Sequence, residues 1–184
     1  MIYAVEGPSG AGKDTYINNH FKNKENTVVF ERPTFPRMQS KGMGAWSESA
    51  ETYKAIVAAT LEPEYDYVSN RFLIGTWVYR ALQFNNGTLH PQCQEAIARS
   101  YIRLCNTALA EAVDRAGYSP TYTYPWVTII LLLPSQEQLE EQRKYSGKEY
   151  PYRAYDELLL YSLIKYKIIN NPINGIILRT LTSY

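Results

Sequence analysis

The stretch Gly7-Pro8-Ser9-Gly10-Ala11-Gly12-Lys13-Asp14-Thr15 constrains this chain more than any other. It follows a short apolar run, Ile2 to Val5, and precedes Tyr16-Ile17-Asn18-Asn19-His20-Phe21, which continues as helix. A strand, a glycine-rich turn and a helix, in that order, are the setting in which G-x-x-x-x-G-K wraps a triphosphate. Glycines let successive N–H groups turn inward, and the helix N-terminus adds partial positive charge where phosphate oxygens would lie. On this reading Gly7, Ser9, Gly10, Ala11, Gly12 and Lys13 hold ATP, with the Lys13 ammonium on its β- and γ-phosphates. The position after the lysine is usually Ser or Thr, whose hydroxyl binds Mg²⁺; here it is Asp14, with Thr15 next. A carboxylate is also a hard oxygen ligand, so Asp14 and Thr15 are both candidate magnesium ligands.

The chain's 184 residues suit one domain, 1–184, with a single substantial core. A net charge of +1 excludes a global basic field of the kind that gathers nucleic acid nonspecifically. Cys93 and Cys105 lie in no C-x-x-C or Cys/His ligand pattern and read as reduced thiols. A strand beginning at residue 2 is read as leaving no room for a signal peptide, and Val127 to Leu133 is too short to span a bilayer. The expectation is a soluble cytoplasmic protein with no membrane partner. The 17 tyrosines serve packing, base stacking, or both.

Thr27 to Phe30 reads as a second strand whose carboxyl end delivers Glu31-Arg32-Pro33, then Phe35 and Arg37. Open parallel sheets bind ligands at that end, which would set these residues beside the phosphate loop. A loop over 38–47 and a helix to about Thr60 follow. Tyr65 to Ser69 alternates as a strand and ends at Asn70-Arg71-Phe72; Leu73 to Phe84 reads as helix. A further helix runs from about Pro91 to Gly117, and its apolar positions are core. Trp126 to Leu133 is continuously apolar, the signature of a strand buried on both faces. Pro134-Ser135 opens a helix to about Tyr145, and a basic segment over about 144–153 carries Lys144, Lys148 and Arg153. Tyr155 to Ile169 is helical and Ile176 to Leu178 is a last strand. Strands and helices alternate throughout, so the expected fold is α/β with a parallel sheet.

Three blocks in this order resemble the thymidylate kinase branch of the nucleoside and nucleoside monophosphate kinases: the phosphate loop, Glu31-Arg32-Pro33, and Ser69-Asn70-Arg71-Phe72. A fourth, weaker block is Leu133-Pro134-Ser135 through Gln142-Arg143-Lys144 with the basic segment after it. The resemblance implies a P-loop three-layer α/β/α sandwich with a five-stranded parallel sheet and a lid, using ATP and Mg²⁺. It implies that Arg71, with Asn70 where the family has Asp, meets acceptor phosphate or the transferring group. Arg32 and Arg37 would grip the acceptor, and Arg143, Lys144, Lys148 or Arg153 would supply a lid cation. Phe35, Trp46, Phe72 and Tyr79 are either a base-stacking slot or core. The family's Glu-Pro-Gly-Gly run after the second strand is absent, and these departures fit a viral, phage-type or otherwise divergent enzyme.

Three functions remain open at this stage. The leading one is a deoxynucleoside monophosphate kinase with a thymidylate-like acceptor. The second is a kinase with a hydroxyl acceptor, either a deoxynucleoside kinase or a phage enzyme acting on hydroxymethyluracil in DNA; Glu31 would then be the base. The third is a P-loop module that binds nucleotide without turnover. Nucleic acid is a partner only under the DNA alternative. Glu31 and Arg71 also have a plain reading, as members of surface ion pairs. The oligomeric state stays open, a homodimer included.

Overall fold

Every residue of Val127–Leu132, strand β4, is buried, Thr128 included. This is what a strand inside a sheet with helices on both faces requires. The computed structural model describes residues 1–30, 62, 64–71, 73–84, 127–170, 172 and 176–183. Within them β1 (Ile2–Glu6), β2 (Thr27–Phe30), β3 (Asp66–Asn70), β4 and β5 (Ile176–Leu181) form one sheet in the order β2-β3-β1-β4-β5. All four pairings are parallel, so the architecture is α/β with five parallel strands. The connection leaving β1 runs past β3 to the β2 edge, whereas those leaving β3 and β4 run toward β5. A crevice opens at the carboxyl ends of strands where such directions diverge.

The helices are α1 (Lys13–His20), α2 (Leu73–Phe84), α3 (Gln136–Ser146) and α4 (Ala154–Asn170). Alternation along β1 sends Ile2 and Ala4 to one face, where they meet Ile74 and Val78 of α2 and Leu160, Tyr161 and Ile164 of α4. Val5 goes to the other face, with Ile17 of α1 and Leu139 of α3. The result is three layers with α2 and α4 on one side and α1 and α3 on the other. Burying one large apolar side chain stabilises by roughly 1.5–3 kcal/mol. Helix α4 buries Leu160, Tyr161, Ile164 and Ile168, whereas Leu139 is the one buried residue of α3. Apolar contact therefore holds α3 far more weakly than α4.

Several sequence expectations are adjusted. The polar–apolar alternation of the third strand is not a burial alternation: Tyr67, Val68 and Ser69 are all buried, because β3 lies between β1 and β2. The last strand continues past Leu178 to Leu181, paired with β4 as far as Leu132. Helix α3 starts at a capping box in which Ser135 Oγ accepts from Gln138 N and the Gln138 side chain accepts from Ser135 N. It ends at Gly147 in the left-handed conformation, so Lys144 belongs to the helix and the segment between α3 and α4 is 147–153. The helices expected over 49–60 and 91–116 lie outside the described residues. No helix among the described residues is long and apolar enough to cross a membrane.

Candidate active site

The loop between β1 and α1 needs its glycines. Gly7, Gly10 and Gly12 all have positive φ, at 146°, 87° and 71°, where side-chain-bearing residues are strained. A Cβ on Gly7 would also sit 2.5 Å from the Leu132 carbonyl oxygen, so the loop passes against the carboxyl end of β4. Lys13 opens α1 and is only 7% exposed. Its ammonium donates to the carbonyls of Gly7, at 2.8 Å, and Pro8, at 2.6 Å, which keeps a buried charge hydrogen-bonded over the loop.

Ser9 is bonded from three directions. Its N–H donates to Glu157 Oε2 at 2.7 Å, and its carbonyl accepts from Arg143 Nε at 2.9 Å. Tyr79 Oη donates to Glu157 Oε2 at 2.8 Å, and it has one proton; the 2.7 Å contact between Ser9 Oγ and Tyr79 Oη is therefore donated by the serine. Arg71 Nη2 approaches Ser9 Oγ at 3.5 Å, and its guanidinium carbon lies 4.8 Å from the Tyr79 ring centre. Burial pushes the Tyr79 phenol above its ordinary range, with Arg71 opposing and Glu157 adding to the rise, so it remains a donor. The arginine, hydroxyl, phenol and carboxylate form one polarised chain.

Arg71 follows β3 with φ 88°, and its N–H is fixed by the Val5 carbonyl at 3.0 Å. A non-glycine residue held at positive φ costs about 1–3 kcal/mol, and such strain collects at functional sites. Beside it, Glu6 is fully buried and accepts the Gly75 N–H in the first turn of α2 at 3.2 Å. The Tyr161 hydroxyl lies against the same point. Burial first, and the Glu6 charge second, raise its phenol well above the ordinary value. On the outer side, Asn70 Nδ2 donates to Asp14 Oδ1, joining the end of β3 to the start of α1.

Of the residues singled out in the sequence, Gly7, Ser9, Gly10, Ala11, Gly12, Lys13, Asp14, Thr15, Asn70, Arg71 and Arg143 come together at the carboxyl ends of β1 and β3. Arg143 is tied to Ser9, to the Tyr152 carbonyl at 2.8 Å and to Glu157 at 2.8 Å. Lys148 is exposed, and the exposed Arg153 makes a two-point pair with Asp156 at 2.7 and 2.9 Å. The Tyr79 ring lies beside Arg71 and 6.0 Å from the Tyr152 ring. Glu31, Arg32, Phe35, Arg37, Trp46 and Phe72 lie outside the described residues. Sequence reasoning missed Glu6 and Glu157. A glutamate closing an apolar strand just before the glycines was a signal for Glu6; nothing local marked Glu157.

The site suits a magnesium ion of the kind that keeps most of its water. Among the described residues no three His, Cys, Asp or Glu side chains cluster as a protein cage. Magnesium bound to phosphates needs only one or two protein oxygens, and Asp14 and Thr15, both exposed at the start of α1, offer them.

A scan against protein-family models finds no match for this sequence, and neither does a comparison with curated proteins. Solved structures do match in shape. The chain superposes on deoxyadenosine kinase from M. mycoides with bound dATP at a TM-score of 0.54 and 15% identity, covering 98% of this chain and 91% of that one. The dCTP-bound form of that enzyme gives 0.52 and 12%, covering 98% and 90%. The Bacillus subtilis YorR protein in complex with phosphorylated GDP gives 0.52 and 14%, covering 99% and 85%. At these identities the likeness is one of fold alone.

Proposed function

We propose that the protein is an ATP-dependent phosphotransferase that passes the γ-phosphate to a deoxynucleoside monophosphate of thymidylate type. The observation that carries this reading is the glycine-built loop opening α1 with Lys13 folded over it and Arg71 fixed beside it. A loose phosphoryl transition state spreads negative charge over its outer oxygens, so positioning and cations do most of the catalytic work. Lys13 moves from the loop carbonyls to the donor's β- and γ-oxygens. Arg71 supplies the charge on the acceptor side, and the loop's N–H groups orient the donor. Magnesium, when bound at Asp14 and Thr15, neutralises charge on the donor phosphates.

An acceptor that is already a phosphate has little proton to lose. Among the described residues, the carboxylates against the loop suit that case: Glu6 and Glu157 are fully buried and hydrogen-bonded, and Asp14 is held by Asn70. A second reading, a hydroxyl acceptor such as a deoxynucleoside, is favoured by the likeness in fold to deoxyadenosine kinase. It requires a positioned base, for which Glu31 is the candidate.

The test is transfer of labelled γ-phosphate from MgATP to deoxynucleosides, their monophosphates, 5-hydroxymethyl-dUMP and DNA containing hydroxymethyluracil. Label on a monophosphate is the expected result, abolished by Lys13→Ala and little changed by Glu31→Gln. Label only on a nucleoside or DNA, with Glu31→Gln slowing transfer by roughly 10²–10⁴-fold, overturns the monophosphate reading.

A further inference from the structure

Arg143 belongs to α3, one turn beyond Leu139 and on the same face, so the two side chains together attach this helix to the body. With Leu139 as the only buried residue of α3, the arginine carries an unusual share of that attachment. Its N–H groups donate to the carbonyls of Ser9 and Tyr152, and its Nη2 pairs with the Glu157 carboxylate as an ion pair. Its aliphatic stem covers Gly10, where a Cβ would lie 2.8 Å from Arg143 Cγ. Its guanidinium lies 4.6 Å from the Tyr150 ring centre, in the segment between α3 and α4.

Glu157 completes the other half. It is fully buried on α4; its Oε2 accepts from Ser9 N–H and Tyr79 O–H, and its Oε1 faces Arg143 Nη2 as an ion pair at 2.8 Å. A buried ion pair can be a mere framework feature. This one differs in that both partners bond the phosphate loop itself, one on each side of Ser9.

We propose that Arg143 and Glu157 are a positioning pair. By holding the N–H and the carbonyl of Ser9 they fix the peptide planes that lead into Gly10, Ala11 and Gly12, and they fasten the segment between α3 and α4 to that loop. Arg143 thus acts through the loop backbone and not as the cation on the moving phosphoryl group. Two elements that meet the sheet from opposite faces, α3 and α4, are coupled at the point where donor phosphate binds. This inference rests on the donor-site reading above.

Binding of MgATP and of inorganic tripolyphosphate to the full chain, with thermal unfolding in parallel, tests it. The wild-type chain binds both. In Glu157→Gln an amide oxygen can still accept from Ser9 and Tyr79, but the amide NH₂ then faces the Arg143 guanidinium and the ion pair is lost. That variant and Arg143→Met should each weaken both ligands by about tenfold or more. The double variant should lose no more than about twofold beyond the worse single, because the two act as one unit. Arg143→Lys keeps a charge for Glu157 but cannot span Ser9, Tyr152 and Glu157; it covers the case in which the other variants fail to fold, and it too should bind weakly. Folded variants that bind within about twofold of wild type, even with a lowered Tm, would show a structural role only and overturn the proposal. Losses that multiply in the double variant would overturn it as well. Absence of binding by the wild-type chain would overturn the donor site, and this inference with it.

Discussion

At Gly10 two constraints coincide: φ is 87°, and the space a Cβ would take is filled by the Arg143 stem at 2.8 Å and Tyr150 at 3.4 Å. Gly147 has a similar φ of 62° with nothing within 4 Å. The pair separates backbone strain from displacement of the loop. Gly147→Ala should cost about 1–2 kcal/mol, the penalty of placing a Cβ in the left-handed region, and leave MgATP affinity alone. Gly10→Ala carries the same penalty and must also push Arg143 off Ser9, so it should lower the urea midpoint further and weaken MgATP. Urea unfolding and MgATP titration of both variants check this. Equal MgATP binding by the two would mean that the Arg143 contact does not shape the loop. The glycines were legible because the run Gly7 to Lys13 is local. The rest of the Ser9 network was not, because its partners lie 70, 134 and 148 residues away. No short-range pattern marks such pairs; Glu157 reads simply as a charge in the first turn of a helix.

Elements were easier to read than their surroundings. β4 was visible as a continuous apolar run and α3 as a helix opened by Pro134-Ser135. β3 was legible as a strand near its observed bounds, but its burial was not, because position in the sheet, not side-chain alternation, decides burial for a strand with neighbours on both sides. Its first residue, Asp66, shows how the ends of elements are tied. The Asp66 carboxylate pairs with Lys24 Nζ at 2.6 Å and with the amino group of Met1 at 3.2 Å, joining β3 to β1 and to the segment before β2. Burial pushes this carboxyl up, but the two cations outweigh it and hold it below its usual value. A group whose folded pKa is depressed adds stability above its unfolded pKa of about 3.9 and loses it as pH falls through the folded value. Lys24 is raised, chiefly by its hydrogen bond to Asp66, so its share persists until pH climbs past the ordinary lysine range. Asp66→Asn should therefore lower the urea midpoint at pH 7, and the gap to wild type should close toward pH 3. A gap that is the same at both values would mean the pair contributes through packing and not charge.

On the scale of the molecule, the phosphate loop is where the layers meet. It grows out of the central strand β1 and opens α1, and through Ser9 it is bonded to α2, α3 and α4. A ligand seated there contacts a point on which both helical layers already converge, so its binding free energy is shared by the whole sheet rather than by one hairpin or lid. A ligand that binds only the folded state stabilises it by about 2.7 kcal/mol at a hundredfold excess over Kd. For a chain of 184 residues each kcal/mol moves the midpoint by roughly 2–4 °C. MgATP at that excess should then raise Tm by about 5–11 °C. If residues 1–184 are one cooperative unit, the transition should move as a single step seen alike by near- and far-ultraviolet circular dichroism. Lys13→Ala removes an ammonium that bonds two carbonyls of its own loop, and should lose most of the shift. Two transitions, of which MgATP moves only one, would divide the chain into independent units and place the loop's influence on one of them.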